Sequence, residues 1–227
     1  MQVVKTVSVT VTGVLTVTAA LYPSNKGYVG VDQYVDVSWS PQPSLDYDVK
    51  VQWGDGTSTT KRVSTGTSTR VGPKQYAAAG SYTISVTVDE LLYGYRGTAS
   101  ASLQVAGQLA ASLAVSPAYG AAPLAATFTM GVTDGFYPCT WSLSPGDGSA
   151  PYTGTRSAAG PWTQTHTYTT VGTFTATLTV TDAAGATAIR RGAAQVDGVP
   201  TPPPTPMEAV TIIAPLVAAI ALLRVSR

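Results

Sequence analysis

The sequence predicts an all-β protein: two tandem β-sandwiches, then a proline-rich stalk and one hydrophobic C-terminal helix. Three observations carry that expectation. The chain repeats itself. Gly54-Asp55-Gly56 followed by residues 80–89 recurs as Gly146-Asp147-Gly148 followed by residues 172–182, at an offset of 92 residues that Tyr76 and Tyr168 also obey. A repeat of that length is a whole small domain rather than a solenoid unit. Apolar and hydroxylated residues alternate without a break over residues 82–88 and 174–180, the period of a strand with one face in the core and one in water. No amphipathic helical pattern of useful length precedes residue 207.

The elements follow in order. In residues 1–12, Val7, Val9 and Val11 alternate with Ser and Thr like the residues around Leu103 and Val105. This segment reads as an extra closing strand. It is expected to add to its own sandwich or, as an exposed edge, to pair with a neighbouring subunit. As a secretory leader it lacks a continuous apolar core. Sandwich 1 is assigned to residues 13–107 and sandwich 2 to 108–198. Residues 14–19 are expected to match 112–117 as first strands, at an offset of 98. Val35, Val37 and Trp39, then Val49, Val51 and Trp53, alternate as further strands. Threonine at outer positions is β-branched, so it stiffens a strand while staying wettable. The loop Leu91-Leu92-Tyr93-Gly94-Tyr95-Arg96 stands out, because the second repeat has only Ala183-Ala184-Gly185 there. Leu91, Leu92, Tyr93, Tyr95 and Arg96 are the candidate contact residues. Other aromatics expected in or near loops are Tyr22, Tyr28, Tyr34, Tyr119, Tyr137, Tyr152 and Trp162.

After Gly198 the composition changes. Residues 199–206 are a proline-rich linker, expected as extended polyproline II. Residues 207–227 carry an uncharged run containing Ala209, Ile212, Ile213, Leu216, Ile220 and Leu223, closed by Arg224 and Arg227. The run is short for a bilayer, which asks for roughly 20 residues, but flanking residues extend it. The basic end fits the cytoplasmic side. The expectation is a single-pass membrane anchor with both sandwiches outside, at a cell surface or viral envelope. The alternative is a helix packed on another subunit.

Composition narrows the function. Thirteen Lys and Arg face twelve Asp and Glu, a net charge of +1, so no basic footprint for nucleic acid exists. Only 11% of residues are charged, against roughly 25% in ordinary soluble domains. The surface must be Thr, Ser and Gly, which suits an extracellular face. Cys139 is the single cysteine, unable to form an intramolecular disulfide and expected as a small buried hydrophobe near Trp141. His166 is the single histidine. No nucleophile elbow or second base accompanies it, and no phosphate-loop or zinc spacing occurs. No catalytic residue and no cofactor is expected.

Each Gly-Asp-Gly reads as a hairpin turn. The glycines allow positive φ, and Asp55 and Asp147 cap backbone amides. Calcium is the competing reading, but one Asp per loop is too few. The second repeat, with His166-Thr167-Tyr168, Gly172-Thr173-Phe174 and the alternating strand after it, resembles the PKD (polycystic kidney disease) domain family. The resemblance covers residues 13–197. In the first repeat Val51, Trp53 and Lys74 stand at the family's Trp, Phe and His positions. In the second, two extra residues between Trp141 and Gly146 predict a bulged turn. The resemblance implies an immunoglobulin-like sandwich whose Trp53, Tyr76, Tyr82, Trp141, His166, Tyr168 and Phe174 are core or corner residues. It also implies structural or adhesive contacts with protein or carbohydrate partners. Alternatives are a subunit of a surface layer, filament or viral spike that self-associates by strand addition, and an accessory fragment of a secreted hydrolase.

Overall fold

The computed structural model describes residues 14–42 and 46–198. The extra strand expected at 1–12, the linker 199–206 and the hydrophobic segment 207–227 lie outside the described residues. Among the described residues no helix is long and apolar enough to cross a membrane; every named element is a strand.

The first eight strands are β1 (Thr16–Tyr22), β2 (Lys26–Tyr28), β3 (Gln33–Ser40), β4 (Tyr47–Gln52), β5 (Ser58–Val63), β6 (Ser68–Lys74), β7 (Gly80–Glu90) and β8 (Arg96–Ala106). They form a three-stranded sheet, β1-β3-β6, and a five-stranded sheet, β2-β8-β7-β4-β5. The next eight are β9 (Ala110–Ser116), β10 (Tyr119–Ala121), β11 (Leu124–Thr133), β12 (Cys139–Ser144), β13 (Tyr152–Arg156), β14 (Gly160–Tyr168), β15 (Gly172–Thr181) and β16 (Thr187–Asp197). They repeat the plan as β9-β11-β14 and β10-β16-β15-β12-β13. Pairing is antiparallel except for the short strands β2 and β10, each parallel to the closing strand of its own sandwich.

Alternation explains the layers. Ile84, Val86 and Val88 of β7 face inward and are buried, while the Thr and Ser between them face out. Ala176, Leu178 and Val180 of β15 do the same. Each sandwich thereby encloses its own core. Burying such side chains contributes about 1.5 to 3 kcal/mol each.

Three sequence expectations need correction. The first strands match at an offset of 94, not 98. β1 pairs Thr16 with Ser40 through Tyr22 with Tyr34, and β9 pairs Ala110 with Thr133 through Ser116 with Thr127. The inward residues Val17, Ala19 and Leu21 therefore match Ala111, Leu113 and Val115. The turn after β12 is not bulged. Trp141 pairs with Val180 and Leu143 with Leu178, as Val49 pairs with Val88 and Val51 with Val86. Trp141 thus matches Val49, and a large residue has moved along the strand with no residue inserted. The β7–β8 hairpin is only one residue longer than β15–β16, as the last rungs Asp89 with Arg96 and Thr181 with Thr187 show.

Trp141 has room because Gly154 lies opposite it on β13. A Cβ on Gly154 would stand 2.8 Å from the indole. Trp141 meets Trp162 across the sandwich, centroids 5.7 Å apart. In sandwich 1 the bulk sits instead at Trp39 and Tyr47, 5.0 Å apart, whose counterparts in sandwich 2 are Val132 and Cys139. Cys139 is buried, so its small volume belongs to this exchange. Tyr34, Tyr152 and Trp162, expected near loops, lie within β3, β13 and β14.

Candidate functional site

The end of each sandwich from which the closing strand leaves is its base; the opposite end is its top. The Gly-Asp-Gly turns lie at the bases. Gly54 and Gly146 have φ of 79° and 91°, and a Cβ on either would collide with the backbone of Thr83 or Thr175. Both conformation and contact therefore require glycine. Asp55 Oδ1 accepts from the Thr57 amide at 3.0 Å, and Asp147 Oδ1 from the Ser149 amide at 3.0 Å.

The second carboxylate oxygen does what sequence reasoning missed. Asp55 Oδ2 pairs with Lys74 Nζ at 2.5 Å, and Asp147 Oδ2 meets His166 Nε2 at 2.7 Å. Lys74 and His166 are the same position in the two repeats, and the shared basic character was the available signal. Burial pushes Asp55 up, but hydrogen bonds from Lys74 and Thr57 outweigh it and hold the carboxyl down at about 2. Asp147 is likewise held below its ordinary value, burial opposing it and Ser149 and His166 prevailing. The other imidazole nitrogen, Nδ1, is 3.1 Å from the Tyr152 hydroxyl. With Nε2–H donating to Asp147, a neutral ring accepts from Tyr152 and a charged ring donates to it, so the contact survives in both forms. Both nitrogens are engaged, which makes His166 a brace.

Above each pair sits a corner tyrosine. Buried Tyr76 donates to the Trp53 carbonyl at 2.8 Å, and Tyr168 to the Pro145 carbonyl at 2.9 Å. Burial pushes Tyr168 up to about 12. Tyr82 and Phe174 cover these rings at 4.2 and 4.8 Å. The arrangement ties the Gly-Asp-Gly turn to the chain that leads into the next long strand, in the manner of sandwich tyrosine corners. Among the described residues no cluster of three or more His, Cys, Asp or Glu exists that could hold a metal.

The contact that joins the sandwiches is built from Asp182 and Tyr28. Asp182 is 5% exposed and Glu90, its counterpart in sandwich 1, is 2% exposed. Each continues the inward face of a hydrophobic strand, a position the alternation marks as buried. Glu90 accepts from the amides of Leu92 and Tyr93 at 2.8 and 2.6 Å. Asp182 Oδ1 accepts from the amides of Ala184 and Ala186 in its own hairpin. Its Oδ2 accepts from Phe136 N at 2.9 Å and from the Tyr28 hydroxyl at 2.6 Å. Burial raises Asp182, and these four donors outweigh it and lower it. Burial and the carboxylate push Tyr28 up. The Tyr28 ring meets Phe136 edge-on at 5.4 Å, Lys26 donates to the Ala183 carbonyl at 3.2 Å, and Gly135 N donates to the Gly107 carbonyl at 3.1 Å. The base of sandwich 1 is thereby docked on the top of sandwich 2.

The candidate contact loop lies at the opposite end, the top of sandwich 1. Leu91, Leu92 and Tyr93 are 43%, 68% and 62% exposed. Tyr95 packs against the core, 6.2 Å from Tyr93, and Arg96 pairs with Asp89.

The sequence model of the PKD domain matches residues 110–190. Among curated protein sequences none matches the chain. Solved structures of similar fold include the mouse nectin-like molecule 4 ectodomain, with three Ig domains, at 14% identity and a TM-score of 0.37. That match covers 82% of this chain and 65% of the mouse chain. A two-domain fibronectin type III segment of chicken tenascin is 11% identical over 73% of this chain and 93% of its own, with a TM-score of 0.36. A Ca2+-stabilised adhesin with which an Antarctic bacterium binds ice is 18% identical over 84% of this chain and 50% of its own, with a TM-score of 0.41.

Proposed function

We propose that the chain is a non-catalytic surface protein: a rod of two sandwiches, tethered through residues 199–227, that presents its far pole to protein or carbohydrate partners. The observation that carries this reading is the inter-sandwich lock. The Tyr28 hydroxyl on the buried Asp182 carboxylate, backed by Phe136 and Lys26, makes two beads one lever. A lever serves display, and its free end carries Leu91, Leu92 and Tyr93. The base of sandwich 2 leads into the proline-rich linker and the uncharged run that ends in Arg224 and Arg227. The base-side cluster supports the non-catalytic part, since Asp147, His166 and Tyr152 satisfy one another. Deleting residues 207–227 should move the protein from the membrane fraction to the soluble fraction. If full and truncated chains both stay soluble, the segment is a packing helix and the tether is wrong.

A further inference from the structure

On one flank of sandwich 2 both sheets end in an edge strand, β13 in the five-stranded sheet and β14 in the three-stranded one. Arg156 of β13 stands opposite Cys139, and Trp162 of β14 stands opposite Met130. Cys139 and Met130 are buried, and residues opposite one another in a ladder share a face. Arg156 and Trp162 therefore point into the gap between the sheets, where the guanidinium carbon lies 5.2 Å from the centre of the indole. Tyr137, two residues before Cys139, is near enough to feel that charge: burial pushes its phenol up, and the guanidinium pulls it down.

Five buried side-chain polar atoms among the described residues have no hydrogen-bond partner, and three belong to this group: Tyr137 Oη, Arg156 Nε and Trp162 Nε1. Arg156 pairs with no carboxylate among the described residues. A buried donor without an acceptor costs free energy, and an unpaired charge costs more. The fold does not demand these groups. At the matching rungs of sandwich 1, Val63 stands opposite Tyr47 and Thr69 opposite Val37. An inward charge keeps a sheet edge from pairing, and an indole face attracts it, but neither role supplies an acceptor.

All three groups offer a proton, and the two N–H groups can only donate. The partner that answers them is acceptor-only and balances one positive charge, which describes a carboxylate. The outer positions of the two strands include exposed Thr153, Thr155, Thr163 and Thr165. None of the large hydrophobic side chains exposed among the described residues lies on either strand. A hydroxylated rim without apolar surface suits a sugar better than it suits the core of a protein interface. We infer that this flank binds a sugar acid, whose carboxylate accepts from Arg156, Trp162 and Tyr137. The site is separate from the far pole of the rod and needs no membrane tether.

NMR of the isotope-labelled full chain in a neutral detergent tests this, with sodium glucuronate set against glucose and sodium chloride. Under glucuronate the Trp162 indole and Arg156 Nε–H resonances should move together and saturate, with a Kd of about 1 mM. Glucose and chloride should move neither. Arg156→Gln should bind at least about tenfold more weakly and melt no earlier than the parent, because it removes an unpaired charge. Trp162→Phe, read at Arg156, takes over if Arg156→Gln does not fold. Resonances that stay fixed up to about 50 mM glucuronate would mean that water answers the donors, and overturn the proposal. So would equal shifts with chloride, which mark an adventitious ion only, or undiminished binding by Arg156→Gln. Tighter binding of acetyl-aspartyl amide than of glucuronate would make the partner an acidic peptide and overturn the sugar acid.

Discussion

Sandwich 1 and sandwich 2 share a strand plan and a ladder register but fill it with opposite choices. Bulk lies at Trp39 and Tyr47 in the first and at Trp141 and Trp162 in the second. The turn carboxylate takes a lysine in the first and a histidine in the second. The buried carboxylate closing the main hairpin is a glutamate serving its own loop in the first. In the second it is an aspartate reaching the neighbouring sandwich. The backbone pattern tolerates any of these so long as total volume is kept and each buried polar group finds a partner.

The largest expected break in that comparison is Asp182→Ala. It strips acceptors from three amides and the Tyr28 hydroxyl, and buried donors left unpaired cost about 1 to 3 kcal/mol each. A loss of about 3 kcal/mol or more is expected, with sandwich 1 melting independently of sandwich 2. Glu90→Ala should cost about 2 kcal/mol and leave the junction intact. Equal losses in calorimetry, with a single transition in both variants, would mean the tie to sandwich 1 contributes nothing.

Next come Asp55→Ala and Asp147→Ala, each expected to cost about 1 to 2 kcal/mol through lost capping and pairing. The folded carboxyl of Asp55 lies at about 2, below its ordinary 3.8. Its contribution is therefore complete above the ordinary value and disappears as pH falls through the folded one. The stability gap between the parent and Asp55→Asn, measured by urea titration, should shrink steadily from about pH 5 to pH 2. A gap independent of pH over that range would rule out the charge pair as its source.

Gly154→Ala sharpens the packing contrast. The added methyl meets the Trp141 indole, and overpacking costs about 1 to 3 kcal/mol. Lys61, opposite Val49 at the matching rung, should accept alanine within about 0.5 kcal/mol. If both melting points move alike, the shifted tryptophan does not explain the glycine. The smallest effect is expected from calcium. With Asp55 and Asp147 engaged by Lys74 and His166, neither calcium nor a chelator should move the melting curve. A chelator-sensitive transition would restore the metal reading.

Much of this architecture was written locally. Alternation at a period of two places Ile84, Val86 and Val88 inside, because successive strand residues face opposite ways. Gly-Asp-Gly encodes its own turn, because glycine supplies the positive φ and a short carboxylate reaches an amide two residues on. The corner tyrosines and their covering rings stand at one offset in both repeats. Where the local signal misled, a bulky residue had moved. Trp141 suggested an insertion, although only the ladder to Val180 defines its rung.

What the sequence by itself determined is the set of patterns whose cause lies within a few residues: strand faces, turns and the repeat that makes two like sandwiches. Tertiary structure alone decided which charged and aromatic groups meet. Tyr28 finds Asp182 across 154 residues of chain, and Asp55 finds Lys74 from a different sheet. Periodicity records whether a side chain points in or out. It carries no record of which distant strand end is brought opposite, because that follows from packing two sheets and then docking two sandwiches.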